Sequence, residues 1–304
     1  MHDFLPASIQ VLERGWLSSN NIVFAQADVP TVVDTGYVTH GEATERLLDE
    51  ALDGRPLARI VNTHLHSDHA GGNARLQRRH GCRIVIPPGL RDAVDAWDEE
   101  RLSYKATDQA CERFSHDEVL AIGGRIELGG QDWDVLPADG HDADMVMLWN
   151  PQEGVLISAD ALWRNGFGVI FPELAGESGF AEQQATLDLI SQLAPRVVIP
   201  GHGAPFTEVD DALGIAHARI RWLAEDPKRN IDNALKGLVA FRLLDRRRMD
   251  LGDVRTLIEQ HLLTQRGIRA QVGDDAEALA ARVMEQLARV GMATLDDDGA
   301  LVAR

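Results

Sequence analysis

Ten consecutive residues constrain this chain more than any other feature: Thr63-His64-Leu65-His66-Ser67-Asp68-His69-Ala70-Gly71-Gly72. They follow Ala58–Asn62, an apolar run with the composition of a short strand. Extended backbone puts side chains two apart on the same side, so His64 and His66 face one way. Asp68 and His69 then fall where the chain turns into the next helix. Three imidazoles and a carboxylate this close together are costly to pack without a metal. Neutral imidazole and carboxylate are the donors that zinc and related transition metals take.

Four further polar residues stand just past apolar runs. Thr31-Val32-Val33-Asp34 ends in a carboxylate, as does Ile157-Ser158-Ala159-Asp160. Gly140-His141 follows the strand-like Trp133–Pro137, and Gly201-His202 follows Val197-Val198-Ile199-Pro200. Strand ends are the rim on which α/β active sites are assembled. Further strands are expected at Ile22–Ala27, Arg83–Ile86, Arg125–Leu128, Met145–Trp149 and Val155–Ser158. Helical patterns fall near Glu42–Leu52, Gly72–His80, Leu90–Trp97 and Glu182–Leu193. After Pro205 the strand signal nearly disappears. Amphipathic helices are expected near Val209–Ala224, Asn230–Leu244, Leu251–Leu263 and Asp275–Val290. A short hairpin then joins Met292–Leu295 to Ala300–Val302.

Composition narrows the function classes. The chain has 304 residues, 44% hydrophobic and 26% charged, as ordinary globular proteins do. It holds no apolar run of about 18 residues, so no membrane span is expected. Its start lacks the basic and apolar regions of a secretory signal, and Cys82 and Cys111 form no CxxC motif. The expected setting is therefore the cytoplasm. The formal net charge is −18, and residues 1–206 carry 15 Lys/Arg against 31 Asp/Glu. A surface this acidic repels phosphate backbones, so nucleic acid is a poor partner and a small molecule the expected one.

The cluster, with its four companions in this order, resembles the metallo-β-lactamase superfamily over residues 10 to 206. The resemblance implies an αββα sandwich carrying a two-metal site at one sheet edge. It implies that His64, His66 and His141 hold the first metal, and Asp68, His69 and His202 the second. Asp160 would bridge both, and Asp34 would orient a ligand rather than bind metal. Zinc is the expected metal, although iron or manganese also accept these donors. Asp68 together with Asp160 resembles the hydrolase branches of the family more than the true lactamases.

Two cations about 3.5–4 Å apart would share a water and lower its pKa to about 7, giving a bridging hydroxide nucleophile. No catalytic Ser or Cys is then needed, and Asp68 or Asp160 would pass the proton to the leaving group. The expected reaction is hydrolysis of a small thioester or ester, similar to that of hydroxyacylglutathione hydrolases. Lactones and phosphodiesters suit the same chemistry. Trp163, Arg164 and Phe167, just after Asp160, and Tyr37, just after Asp34, are the candidate substrate-pocket residues. Trp16 reads as a core or interface residue before a pocket one.

The expected domains are a catalytic unit over 1–206 and a mainly helical, winged-helix-like unit over 207–304. That tail resembles the winged-helix-containing lactamase-like protein 2 subgroup, which includes single-strand endoribonucleases. Against a ribonuclease stand the tail's near-neutral balance of 15 Lys/Arg and 17 Asp/Glu and the acidic neighbours of Arg246-Arg247-Arg248. The tail is expected to cover the metal cleft or to mediate a homodimer. Two further readings are a mononuclear iron persulfide dioxygenase, which shares the first histidine set, and a binding module that has lost catalysis.

Overall fold

The computed structural model describes residues 2–273 and 275–303, with two stacked β-sheets at its centre. The first sheet has the order β1 (Gln10–Leu12), β2 (Asn21–Phe24), β3 (Thr31–Val33), β4 (Arg59–Val61), β5 (Arg83–Ile86), β6 (Glu118–Val119). It is antiparallel as far as β3 and parallel from β3 to β6. The second comprises β7 (Arg125–Leu128), β8 (Gln131–Pro137), β9 (Val146–Asn150), β10 (Val155–Ala159) and β11 (Val197–Pro200). Its order is β11-β10-β9-β8-β7, and only β10 and β11 pair in parallel.

Period-two alternation divides the strand residues between two cores. Phe24, Val33, Val61 and Val85 of the first sheet meet Trp133, Leu148, Ile157 and Ile199 of the second. The other side chains of the same strands face outward into helices, so runs such as Val197-Val198-Ile199 are apolar throughout. Crossovers in the first sheet supply α1 (Gly41–Leu52), α2 (Ser67–Ala70), α3 (Asn73–His80), α4 (Arg91–Ala96) and α5 (Tyr104–Thr107). Leu48 and Leu52 of α1 and Leu76 of α3 cover Val32, Ile60 and Ile84. Between β10 and β11 run α6 (Phe171–Ala175) and α7 (Phe180–Leu193), and α8 (Val209–Glu225) follows β11. Leu187 and Ile190 of α7 and Ala216 and Ile220 of α8 cover Met147, Leu156 and Val198. The layers are therefore α, β, β, α, as the resemblance implies.

The remaining chain forms α9 (Lys228–Arg246), β12 (Arg248–Met249), α10 (Leu251–Gln260), α11 (Arg266–Val272), α12 (Ala276–Arg289), β13 (Ala293–Leu295) and β14 (Leu301–Ala303). The three strands make an antiparallel sheet in the order β12-β14-β13. Leu235, Val239, Ile258, Val283, Leu287 and Leu301 share one apolar cluster, which also takes in Leu174 of α6. Helix α10 is held at its start by a capping box: Asp250 accepts from the Asp253 amide at 2.8 Å, and Asp253 from the Asp250 amide at 3.1 Å.

Helix α9 ties this region to the sandwich. Asn230 exchanges two hydrogen bonds with the backbone of Ile170, at 2.9 and 3.2 Å, and the Phe241 ring meets the Tyr37 ring edge-on at 4.9 Å. Arg242 pairs with Asp108 at 2.9 Å and with Asp245 at 2.7 Å. Two arginines of the 246–248 cluster are engaged within the chain, Arg246 with Asp108 and Arg248 with Asp296. Cys82 and Cys111 are free thiols, and among the described residues no helix is long and apolar enough to cross a membrane.

Candidate metal centre

Strand ends bring the site together. Asp34 follows β3, His64 and His66 follow β4, and Asp68 and His69 stand in α2. His141 comes after β8, Asp160 follows β10, and His202 follows β11. Strands β8 and β10 are both antiparallel to β9, so they and β11 run in the same direction and deliver their ends to one edge.

Two groups of donors result. His64, His66 and His141 form one, Asp68, His69, Asp160 and His202 the other, and within each group the donor atoms lie within 4.8 Å of one another. In the first group His66 Nδ1 is 3.1 Å from His64 Nε2 and 3.0 Å from His141 Nε2. In the second, Asp68 Oδ2 lies 3.0 Å from His202 Nε2 and 3.8 Å from His69 Nε2. Asp160 Oδ2 stands between the groups, 3.5 Å from His141 Nε2, 3.6 Å from His69 Nε2 and 3.9 Å from His202 Nε2.

The outer ring nitrogens fix which nitrogens converge. His141 Nδ1 donates to the Val169 carbonyl at 2.6 Å, and His66 Nε2 lies 3.3 Å from Asp142 Oδ2. His69 Nδ1 lies 2.8 Å from Asp34 Oδ2. Thr63 spends its hydroxyl proton on Asp34 Oδ2 at 2.7 Å, so its oxygen accepts from His64 Nδ1 at 3.1 Å. Carbonyl and carboxylate oxygens only accept, so each of these rings carries a proton on its outer nitrogen and turns its other nitrogen inward. His69 Nε2 is buried with no hydrogen-bond partner. A buried nitrogen left in this state is costly, and a cation beside Asp68 and Asp160 removes the cost. The donor set therefore fits two divalent cations.

Electrostatics follow the same division. Burial lowers the His64 pKa well below the usual imidazole value and lowers that of His141 to about 4, so both imidazoles are neutral. Burial also opposes charge on His69, but Asp34, Asp160 and Asp68 outweigh it and raise its pKa. Asp160 is buried and Asp68 largely so, which favours their neutral form. Surrounding histidines overcome this and hold both carboxyls ionised, Asp160 the more strongly.

Two glycines permit the close packing. A Cβ on Gly201 would lie 2.2 Å from Asp160 Oδ1, and one on Gly168 would lie 2.2 Å from His141 Nδ1.

A cleft with about 590 Å³ of empty space opens over the donors, with His66, Asp68, His141, Asp160 and His202 in its floor. Trp16, Trp163 and Phe171 form apolar walls, and Leu238 and Phe241 of α9 roof it. Ser103, Thr107 and Gln109 add neutral polar groups, and among the described residues no Lys or Arg lines it.

Of the four expected pocket residues, Trp163 lines the cleft, and its indole Nε1 also donates to Asp160 Oδ1 at 3.1 Å. Arg164 turns to the surface, where it lies 3.7 Å from Asp211. Phe167 is fully buried beneath the Arg219 guanidinium, 4.9 Å from its ring centre. Tyr37 is also fully buried; its hydroxyl accepts from the Ala110 amide at 3.2 Å and lies 3.5 Å from Asp245. Proximity in sequence to a ligand does not set side-chain direction where the chain turns sharply, as it does at Asp34 (φ 58°) and Ala159 (φ 47°). Trp16, expected in a core or interface, instead stands in the cleft with its ring 5.5 Å from that of His202. Asp142 was detectable only as the acidic neighbour of His141.

A family model, the Metallo-beta-lactamase superfamily, matches residues 14–202. The chain belongs to this superfamily and is one of its metallo-hydrolases. It is 26% identical over 255 residues to the probable metallo-hydrolase YqjP of Bacillus subtilis, covering 73% of this chain and 78% of that protein. It is 30% identical over 136 residues to a hydroxyacylglutathione hydrolase of Methylococcus capsulatus, covering 44% of this chain and 43% of that enzyme. The match thus spans less than half of the latter relative.

Among solved structures, the metallo-beta-lactamase family protein TTHA1429 of Thermus thermophilus superposes with a TM-score of 0.57 at 18% identity. It covers 98% of this chain and 99% of its own. A beta-lactamase domain protein of Burkholderia ambifaria gives 0.53 at 21% identity, covering 99% and 95%. The shared fold therefore extends through the C-terminal helices.

Proposed function

We propose that the protein is a dinuclear metallohydrolase of a small ester or thioester. The observation that carries this reading is the carboxylate oxygen of Asp160 standing between two complete donor groups beneath one cleft. His64, His66 and His141 would hold one cation and Asp68, His69 and His202 the other, with Asp160 shared. Zinc is the metal of choice, and iron or manganese suit the same donors. Such a pair, when bound, supplies Lewis acidity and an acidified water as nucleophile.

The chain's own groups do the rest. Asp34, Thr63, Asp142 and the Val169 carbonyl fix the imidazole tautomers. Trp163 holds one oxygen of Asp160 and leaves the other toward the shared position. Asp68, ionised and 14% exposed, faces the cleft and can accept a proton and return it to a leaving alkoxide or thiolate. Trp16, Phe171 and the roof of α9 exclude water from the scissile bond.

The hydroxyacylglutathione hydrolase relatives support thioester chemistry. Among the described residues the cleft lacks the cation that a glutathione carboxylate would call for, so an acyl substrate without that group fits better. A nucleic-acid substrate is disfavoured by the same lining. The rest of the reading comprises a catalytic unit over 1–206, to which α8 adds an outer layer, a winged-helix-like tail in the remainder of 207–304, a cytoplasmic setting and a homodimer.

The test is metal content of the purified protein together with a panel of thioester, ester, lactone and phosphodiester substrates. Two metals per chain and turnover of acyl substrates are expected. One iron per chain with oxygen consumption would replace this reading with a persulfide dioxygenase, and salt-sensitive cleavage of single-stranded RNA would replace it with a nuclease.

A further inference from the structure

A second cavity, with about 510 Å³ of empty space, lies beside the cleft, and Trp16 lines both. Its other walls are apolar: Ala240, Leu243 and Leu244 of α9, Leu287 of α12, and Met292 and Ala293 near β13. Helix α9 runs along the pair of cavities. Gly237, Leu238 and Phe241 line the first, and Ala240, Leu243 and Leu244 line the second, about one helical turn further on. Trp16 is 42% exposed and Met292 is 46% exposed, so the shared wall and the far end both reach solvent. Neither cavity is lined by a cationic side chain among the described residues, and the second has no charged side chain at all.

We propose that the two cavities form one substrate path, and that the second is the binding site for the apolar tail of a medium- or long-chain acyl group. The scissile carbonyl lies over Asp160, and the chain passes Trp16 to run along α9 toward Met292. This rests on the hydrolase reading for its chemistry and gives that reading a substrate class. Continuity at Trp16 argues for a substrate tail as the occupant. A wall this apolar gains only from methylenes, roughly fourfold in affinity for each one it removes from water.

Two measurements test it. The first is binding of dodecanoate and butanoate to the metal-free protein, followed by displacement of a fluorescent fatty acid. Dodecanoate is expected to bind at least tenfold tighter than butanoate. Met292→Glu, at an exposed position, is expected to reduce that preference at least fivefold, and Ala240→Phe to reduce it similarly by filling the cavity. The second is the ratio of kcat/KM for dodecanoyl over butanoyl thioesters with the metal-loaded enzyme, expected to exceed ten and to fall in both variants.

Equal binding of the two acids, or a preference unchanged in both folded variants, would overturn the inference. A dimer in sedimentation that Met292→Glu dissolves would also overturn it, because a second copy would then cover the groove. Tight dodecanoate binding that Met292→Glu weakens, with no thioester turned over, supports the path while removing the ester reading of the metal site.

Discussion

The two donor groups are built differently. All three imidazoles of the His64, His66 and His141 group are tied at their outer nitrogens, to Thr63, Asp142 and the Val169 carbonyl, and all three are buried. In the Asp68, His69, Asp160 and His202 group only His69 has such a tie, to Asp34. His202 Nδ1 is buried without a partner, and its ring is instead flanked by Trp16 and Trp163, at 5.5 and 5.4 Å. The first group is thus pre-oriented by its outer ties, while the second relies on carboxylate charge and aromatic packing. The difference predicts unequal metal sites, the first binding tightly and the second exchanging. Asp160 Oδ2 lies within 3.9 Å of imidazole nitrogens of both groups, so Asp160→Ala should have the largest effect. Loss of several kcal/mol of transition-state stabilisation corresponds to about 10³-fold in kcat/KM. Metal content should fall at both positions while far-ultraviolet circular dichroism stays native. Full activity with normal metal content in this variant would end the shared-ligand account.

Deleting one ligand from each group separates them more finely. His202→Ala should leave about one metal per chain after dialysis, because the first group keeps its three tied donors. His66→Ala should leave less than one, because the remaining group is the looser one. Elemental analysis of both variants, dialysed side by side, gives the answer. Equal stoichiometry in the two would break the asymmetry and show that outer ties do not govern retention here.

The same contrast explains how much of the site the sequence could disclose. The candidate donors at strand ends were readable because a strand, its terminal polar residue and the following turn are local features. The nine strands expected in the sandwich all form, Arg83–Ile86, Arg125–Leu128 and Val197–Pro200 at their expected bounds. The short strands β1, β6 and β12 were not expected, since two or three residues carry too little alternation to register. Helices α5, α6 and α11, of four to seven residues, escaped for the same reason. Contacts across the chain left no local trace. The Val169 carbonyl reaches His141 over 28 residues, and the roof residues of α9 cross from beyond residue 228. Tyr37 and Phe167 show the converse: nearness in sequence to a candidate donor does not set the direction of a side chain. Each instead fills a packed interior, beside Phe241 and beneath Arg219.

Asp34 offers the smallest and most discriminating test, because it reaches both groups without facing the cleft. One oxygen receives the Thr63 amide at 2.9 Å, while the other lies 2.8 Å from His69 and 2.7 Å from the Thr63 hydroxyl that in turn positions His64. In Asp34→Asn one oxygen becomes an amide donor, so a bond to the Thr63 amide or one at Oδ2 is lost. Changes of this kind around a metal site cost about 10- to 100-fold in metal affinity or activity. His69 depends on Asp34 directly and His64 only through Thr63, so the second site should weaken more than the first. Competition with a chelator, read for each metal in turn, should show one affinity shifted by this amount and the other by only a few-fold. Asp142→Asn is the matching change on His66, where the loss should fall on the first site alone. If both variants weaken both sites equally, the groups act as one coupled cluster, and the distinction between a tied and a loose site does not hold.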